Sequence, residues 1–296
     1  MPAETVQRRP PWIRTHFRPS ARYRAVIDLL REHDLSSVCE EAACPNIGEC
    51  FGAGTATFMI LGDICTRACG FCAVTSGRPD GLDLGEPRRL ADAIAALELD
   101  YAVITSVDRD DLADGGAGMF AACIHAIRER LPACTVELLV PDFEGNWAAL
   151  ATVMEAGPAV LNHNIETVPR LYPRVRPKAQ YRRSLELIGR AQALAPATST
   201  KSGLMVGLGE TFEELVEAMS DLRSAGCELL TIGQYLRPTS KQLPVARYYE
   251  PAEFEALAVA GRALGFAHVE AGPLVRSSYH AAEQARAAAA ARRSDG

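Results

Sequence analysis

Length, composition and charge restrict what this chain can be. Its 296 residues can bury one large core or two modest ones, and a hydrophobic fraction of 48% with a charged fraction of 23% is ordinary for a globular protein. The formal net charge of -6 argues against binding nucleic acid by neutralising phosphates. No apolar run is long enough for a bilayer, and residues 1–20 lack the apolar core of a secretory signal, so we expect a cytoplasmic protein with no membrane partner.

The predicted elements begin with a helix, Arg22–His33, and an irregular loop, Ser36–Gly54, that carries cysteines and several turn-forming residues. From Thr57 onward, short apolar runs alternate with longer amphipathic stretches. The runs predict buried parallel strands at Thr57–Gly62, Tyr101–Val107, Thr135–Val140, Ala159–Ile165, Thr200–Gly207 and Leu229–Leu236. The stretches predict helices near Glu86–Leu99, Gly118–Arg130, Asn146–Ala156, Tyr181–Leu194, Thr211–Ala225 and Pro251–Leu264.

Six strand–helix units in succession predict a parallel sheet with helices outside it. Because a closed barrel has eight such units, we expect an incomplete (β/α)6 TIM-like barrel, with a doubly wound open sheet as the alternative. We divide the chain into an N-terminal extension, 1–55, a partial barrel, 56–270, and a C-terminal extension, 271–296. In the last region a loop precedes an exposed Ala- and Arg-rich helix, Ala281–Arg293.

The strongest functional signal is the crowding of cysteines between residues 39 and 72. In a reducing compartment, cysteines at this density are metal ligands or catalytic groups more often than disulfides. The isolated Cys123, Cys134 and Cys227 are instead interpreted as small buried hydrophobes.

Cys65, Cys69 and Cys72, here named the downstream triad, follow the first predicted strand in a C-x3-C-x2-C pattern. Ligands gather at the carboxyl ends of parallel strands, so this loop lies where chemistry is expected. A [4Fe–4S] cube takes one ligand per iron, so three cysteines leave one iron free to chelate a small molecule. A zinc site is the alternative, but structural zinc prefers four closed ligands in paired C-x2-C knuckles, and only one such pair is present.

Cys39, Cys44 and Cys50, here named the upstream triad, follow a C-x4-C-x5-C pattern. Pro45 and Gly48 allow the tight turns that would wrap a second cube. The alternative is a set of buried thiols in a loop, which three cysteines at this spacing disfavour. We therefore predict a second metal cluster.

The downstream triad resembles that of the radical S-adenosylmethionine (SAM) superfamily, and its combination with the upstream triad is similar to lipoyl synthases. The resemblance runs over nearly the whole chain, in the segments Val38–Cys50, Thr57–Asp63, Thr105–Leu112, Asn162–Val168, Lys201–Glu210, Gly233–Pro238 and Arg276–His280. The chain departs from the family pattern at Gln242, where a His is usual, and at Phe51, where a Trp is frequent.

The resemblance implies an enzyme that inserts two sulfur atoms, at C6 and C8, into a protein-bound octanoyl group. It implies that the downstream triad holds the [4Fe–4S] cluster that reduces SAM, giving methionine and a 5′-deoxyadenosyl radical. It also implies that the upstream triad holds an auxiliary [4Fe–4S] cluster, with Ser278 as its fourth ligand, that is consumed as the sulfur donor. Oxygen is a harder ligand than sulfur, so a serine should leave more readily than a thiolate. From the residues alone, Ser278 would be interpreted as part of a polar loop.

Other polar residues are assigned to SAM. Asn162, Asn164 and Glu166 close the fourth predicted strand, and Glu166 is positioned to accept from ribose hydroxyls. Arg176 and Lys201 are predicted to pair with the SAM carboxylate or with the region of the terminal serine, although plain salt bridges fit equally well. A basic group, either a solvated face or a docking site for an acidic carrier, comprises Arg170, Arg174, Arg176, Lys178, Arg182 and Arg183.

The partners implied by the resemblance are an octanoylated lipoyl carrier domain, which is an E2 subunit or the glycine cleavage H protein, and an electron donor such as flavodoxin or ferredoxin. An iron–sulfur carrier would repair the auxiliary cluster. Two other functions stay open at this point. One is a biotin synthase-like or methylthiotransferase-like radical SAM enzyme, and the other is a zinc-stabilised interaction module, which so large a scaffold disfavours.

Overall fold

The structure is a computed structural model that describes residues 8–14, 20–42, 44–52 and 56–294. Its main sheet has eight strands in the order β1-β2-β5-β6-β7-β8-β9-β10. They are β1 Ser36–Ser37, β2 Thr57–Ile60, β5 Tyr101–Ser106, β6 Thr135–Leu139, β7 Val160–Asn162, β8 Ser199–Val206, β9 Leu229–Gln234 and β10 His268–Gly272. A separate parallel pair joins β3, Ile64–Cys65, to β4, Thr75–Ser76.

Helices cover the outside of this sheet. They are α1 Ala21–Glu32, α2 Val38–Glu41, α3 Ile47–Gly52, α4 Glu86–Ala96, α5 Ala117–Arg130, α6 Trp147–Glu155, α7 Tyr172–Val175, α8 Tyr181–Leu194, α9 Phe212–Ser224, α10 Pro251–Ala263 and α11 Ala281–Ser294. No helix in the described part of the chain is long and apolar enough to cross a membrane.

The sheet topology confirms the incomplete barrel. Every pair from β2 to β10 is parallel, and each new strand adds beside the one before it. A doubly wound sheet instead reverses its strand order at a switch point. The sheet ends at β1, which pairs antiparallel with β2, and at β10, so it stays open between these two edges.

Three elements differ from the sequence expectation. A seventh parallel strand, β10, crosses the predicted boundary at residue 270. The loop expected to be irregular contains two short helices, α2 and α3. The terminal helix α11 is partly buried, because Ala288 packs against Val160 and Leu229 at the amino ends of β7 and β9.

Alternation along the strands divides the sheet into an outer apolar face and a more polar interior. Val136 and Leu138 of β6 lie in the hydrophobic core against the helices, whereas the intervening Glu137 faces inward and is fully buried. The polar interior is therefore where the barrel presents its chemistry.

Candidate functional site

The downstream triad lines a pocket of about 140 Å³ above the carboxyl ends of the strands. Thr105 and Ser106 at the end of β5, and Asn164 just beyond β7, line the same pocket. Burial raises the pKa of Cys65 to about 11 and that of Cys69 to about 12, so the free thiols are neutral at pH 7 and would lose their protons on binding metal.

Arg67, between two cysteines of the triad, fixes the loop to the barrel. Its guanidinium is 4% exposed and makes a two-pronged contact with Asp110, with the shortest N···O distance 2.7 Å. A further bond of 2.7 Å reaches Asp142, which is itself buried. Bidentate charge pairs have strict geometry, so this contact orients the cysteine-bearing loop.

The sulfur of Cys65 lies among hydrogen-bond donors. The backbone N–H groups of Arg67 and Asp108 each donate to its Sγ at 3.4 Å. On the other side of the loop, the N–H of Gly70 donates to the Val175 carbonyl at 2.9 Å. Gln242, the departure from the family pattern, donates to the carbonyl of Cys72 at 3.0 Å. The substituted residue therefore contacts the backbone of a predicted ligand.

Arg176 and Glu166 are charged residues that line the pocket. Arg176 donates from Nη1 to the Asn164 carbonyl at 2.8 Å, and Asn164 donates to Glu166 at 3.0 Å. Burial raises the pKa of Glu166, while the charge of Arg176 opposes that rise. His163 bonds to the Val140 carbonyl and to Ser184, and burial lowers its pKa to about 4, so it is neutral at pH 7.

The upstream triad lies at the other end of the barrel interior. Burial, with a smaller contribution from the neighbouring Cys44 and Cys50, raises the pKa of Cys39 to about 12. The C-terminal segment brings Ser278 beside them, where Ser278 Oγ accepts a bond of 2.7 Å from Thr57 Oγ1. Arg276 is half-buried in the same region and donates to the Gln234 carbonyl at 2.9 Å.

One cavity joins the two triads. This inner chamber, of about 240 Å³, is lined at one end by Cys72 and at the other by Cys39, Cys44 and Ser278. Apolar side chains line its middle, including Phe71, Val74, Leu139, Leu204 and Met205. A second cavity of about 350 Å³, the outer cavity, lies on the far side of the upstream triad and contains Cys50.

The structure does not bring Asn162 and Lys201 to the downstream triad. Lys201 Nζ donates to Glu137 at 3.0 Å, and both side chains are fully buried. Asn162 donates to the same carboxylate at 3.3 Å, and Tyr101 donates at 2.6 Å. These residues form a separate polar cluster deeper in the barrel. Asn162 and Lys201 are paired residues on the neighbouring strands β7 and β8, so their side chains reach the same carboxylate.

The predicted basic group does not form one free face. Arg176 belongs to the pocket, Arg170 pairs with Glu214, and Arg183 pairs with Asp142. Lys178 is exposed and donates to the Thr66 carbonyl at 3.0 Å. Arg174 and Arg182 are also exposed, and they remain available to meet a partner.

Four residues that contact the triads or their surroundings were not predicted from the sequence, namely Arg67, Thr57, Arg276 and Asp108. Arg67 lies inside the cysteine pattern, so a cation between ligands was a usable signal. The other three act through contacts far apart in sequence, as in the pair of Thr57 with Ser278.

The donor groups suit the cofactors that the sequence implies. Three thiols per site match a cube with one corner left for another ligand. Among the described residues, three buried polar atoms lining the downstream pocket have no hydrogen-bond partner, namely Ser106 Oγ, Asn164 Oδ1 and Arg176 Nε. A ligand with a carboxylate and an amino group would satisfy such atoms. Across residues 8–14, 20–42, 44–52 and 56–294, no three His, Cys, Asp or Glu side chains converge as the ligands of a single ion do.

Known proteins show which family this chain belongs to. The model of the radical SAM superfamily matches residues 59–222. Among solved structures, methylornithine synthase superposes with a TM-score of 0.54 over 72% of this chain and 70% of that one, at 13% identity. A maturase of the [FeFe]-hydrogenase gives a TM-score of 0.57 over 77% of this chain and 61% of that one, at 12% identity. The chain is therefore a radical SAM protein.

Relatives with higher sequence identity show which family within the superfamily the chain belongs to. Lipoyl synthase of Symbiobacterium thermophilum is 60% identical over 97% of this chain and 90% of its own length. Lipoyl synthase of Methylococcus capsulatus is 61% identical over 94% of this chain and 87% of its own length. This chain belongs to the lipoyl synthase family, whose members are sulfurtransferases that use [4Fe–4S] clusters and SAM.

Proposed function

We propose that this chain inserts sulfur at C6 and C8 of an octanoyl group carried on a lysine of a lipoyl carrier domain. The observation that supports this most directly is the inner chamber, whose wall includes Cys72 of one triad and Cys39 and Cys44 of the other. A substrate in this chamber would lie between a site of hydrogen abstraction and a source of sulfur.

The clusters and SAM, when bound, supply a radical able to take hydrogen from an unactivated methylene and sulfide for the new C–S bonds. In this proposal the downstream triad holds the first cluster. The free Nε of Arg176 binds the SAM carboxylate, and Glu166 accepts from its ribose hydroxyls. Asn164, bonded to Glu166, keeps that carboxylate in place.

The upstream triad and Ser278 hold the auxiliary cluster in the same proposal. Three thiolates would bind its irons firmly, whereas the Ser278 oxygen, bound without its proton, would give one corner that opens more easily. A cluster that must release its own sulfide benefits from such a corner.

The apolar middle of the inner chamber accounts for the octanoyl chain. Leu139, Leu204 and Met205 offer an apolar surface that excludes water from the radical chemistry. This lining suits a saturated hydrocarbon.

The carrier domain would dock near the exposed Arg174 and Lys178 beside the downstream loop. Charge complementarity steers such encounters, so an acidic carrier is favoured, either an E2 lipoyl domain or the glycine cleavage H protein. A flavodoxin or ferredoxin as electron donor, an iron–sulfur carrier for repair and a cytoplasmic location complete the proposal.

The test compares single cysteine variants with an octanoylated carrier peptide, under anaerobic conditions. We expect Cys39→Ala to cleave SAM to methionine and 5′-deoxyadenosine without forming lipoyl product, and Cys65→Ala to do neither. Cys134→Ala is the matched control, since its thiol lies outside both triads, and it should do both. Lipoyl product from Cys39→Ala, measured by mass spectrometry, would contradict the role of the upstream triad.

A further inference from the structure

Thr57 contacts the C-terminal segment at the upstream site. It is the first residue of β2, is 6% exposed, and donates from Oγ1 to Ser278 Oγ at 2.7 Å. The two residues are 221 positions apart, so this bond ties the start of the barrel to the C-terminal segment.

The same threonine also contacts the N-terminal segment. The backbone of Thr57 hydrogen-bonds to Cys39, the first cysteine of the upstream triad. The hydroxyl of Thr57 has a single proton, and in this structure it donates that proton to Ser278 Oγ. One residue therefore contacts both the first cysteine of the upstream triad and the serine that completes the set.

Thr57 lies in the wall between the two cavities. Five residues line both the inner chamber and the outer cavity, and they are Cys39, Cys44, Thr57, Arg276 and Ser278. A Ser278 side chain that rotated away from this wall would face open space on either side. Its orientation toward the cysteines therefore needs a specific contact.

The backbone near Ser278 is held independently. Arg276 donates to the Gln234 carbonyl at 2.9 Å, and the Val275 carbonyl lies against Gly233, where an added Cβ would be only 2.0 Å from it. These contacts place the segment against β9 but do not choose the rotamer of Ser278. The hydrogen bond to the Ser278 side chain comes from the Thr57 hydroxyl.

We propose that Thr57 is a positioning residue that holds Ser278 Oγ at the fourth corner of the auxiliary site and slows the loss of the iron bound there. The inference rests on the proposed function, because it needs Ser278 to be a ligand. A ligating serine has lost its proton and can only accept, so a donor at 2.7 Å stays satisfied when the cluster is bound. Hydrogen bonds to charged groups are the stronger kind, so its loss should be measurable.

The experiment uses the full chain carrying Cys65→Ala, Cys69→Ala and Cys72→Ala, so that only the auxiliary cluster is reconstituted. Anaerobic release of iron to a ferrous chelator is followed by absorbance. The first Fe²⁺ to leave a [4Fe–4S]²⁺ cube leaves an uncharged [3Fe–4S] core, so no electron is transferred. Oxidation of that core by ferricyanide then gives a three-iron signal in electron paramagnetic resonance.

Thr57→Val keeps the shape of the side chain and removes the donor, and we expect it to release the first iron about tenfold faster. Thr57→Ser restores the hydroxyl and should release iron at the parent rate. The matched control is Thr200→Val, which removes an equally buried strand hydroxyl that bonds the Gly226 carbonyl at 2.6 Å, far from the upstream triad. Thr57→Ala repeats the test without the added methyl, and circular dichroism checks the fold of each variant.

An unchanged or slower first release in folded Thr57→Val and Thr57→Ala would overturn the role of Thr57. Failure of the proposed function gives different results. A parent protein that takes up no cluster would contradict the auxiliary site itself, and Ser278→Ala with the parent release rate would contradict Ser278 as its ligand.

Discussion

Arg67 is the residue on which the geometry of the downstream loop depends most. Arg67 and Asp142 are both buried, so neither of these two charges is solvated by water, whereas Asp110 is partly exposed. Removing one partner of a buried ion network leaves the other charges buried and unpaired. The loss of stability is then larger than the net contribution of the intact network to stability.

We expect Arg67→Ala to lower the free energy of unfolding by about 3–5 kcal/mol, as removal of one buried partner typically does. The cluster held by the downstream triad should be lost with it, because the loop is no longer fixed. Urea unfolding and iron analysis in a chain lacking the upstream cysteines measure both effects. Arg262→Ala is the control, since its pair with Glu255 is exposed and should contribute about 0.5 kcal/mol or less. Equal stabilities for the two variants would refute this account of Arg67.

The same network predicts how stability depends on pH. Burial acts to raise the pKa of Asp142, but the hydrogen bond and charge of Arg67 outweigh it and lower the pKa from 3.8 to about 2. A carboxyl whose pKa is lowered by folding stabilises the protein above its unfolded pKa, and that stability is lost as pH falls through the folded pKa. The lowered pKa of Asp142 therefore contributes about 2 kcal/mol to the free energy of unfolding, since one pKa unit corresponds to about 1.36 kcal/mol.

Comparison with Asp142→Asn isolates this contribution, since Asp108 and Glu166, whose pKa values are raised by burial, act in the opposite sense in both proteins. The stability difference between parent and variant should be constant from pH 7 to pH 5 and shrink between about pH 4 and pH 2. Urea unfolding at each pH provides the values. A difference that does not change with pH would mean that Asp142 is not ionised through Arg67.

The two cysteine triads could be recognised from local sequence, because their spacing is visible along the chain, and their role as cluster ligands stays a prediction. The positions of the polar residues around them were harder to predict. Arg176 and Lys201 looked alike in sequence, yet one lines the pocket and the other pairs with Glu137 inside the barrel. Arg176 directly follows the short helix α7, whereas Lys201 lies within β8 opposite Asn162 of β7, so the difference arises from the element that carries each residue and not from residue type.

At the scale of elements, the helix starts could be predicted from local capping residues and from proline. Thr211 and Glu214 form a capping box that begins α9, and Pro251 opens α10, so both predicted starts lie within one residue of those observed. Strand β10 was missed because only Val269 among its five residues is buried, so it shows no apolar run. The strand β10 forms by pairing with β9, and such pairing cannot be predicted from the periodicity of the β10 sequence.

The contact between β9 and the C-terminal segment predicts a role for Gly233. A Cβ at this position would lie 2.0 Å from the Val275 carbonyl, so Gly233→Ala must push that segment away from the sheet. Ser278 would move with it, and the auxiliary cluster should be lost while the downstream cluster is kept. Iron analysis of each site, with the other triad replaced by alanine, tests this. Gly81→Ala is the control, because its Cβ meets open space; full auxiliary iron in Gly233→Ala would contradict the prediction.

At the scale of the whole molecule, the barrel brings cysteines of both triads to one inner chamber. The upstream triad comes from the N-terminal segment, Ser278 from the C-terminal segment, and the downstream triad from the loop after β2. The sequence indicated both triads but not their common cavity, since that depends on how both ends of the chain close on the open sheet. Sulfur and radical would therefore meet the substrate within a single chain.

This arrangement predicts that two defective chains do not complement each other. Cys39→Ala retains the downstream site and Cys65→Ala retains the upstream site, so a mixture contains both functions in separate molecules. Because both triads line the same inner chamber, a substrate radical formed in one molecule is shielded from the cluster of the other. An equimolar mixture with octanoylated carrier peptide should form SAM cleavage products and no lipoyl product by mass spectrometry. The parent enzyme at half the concentration is the control, and lipoyl product from the mixture above that of either variant alone would show that the two sites act between chains.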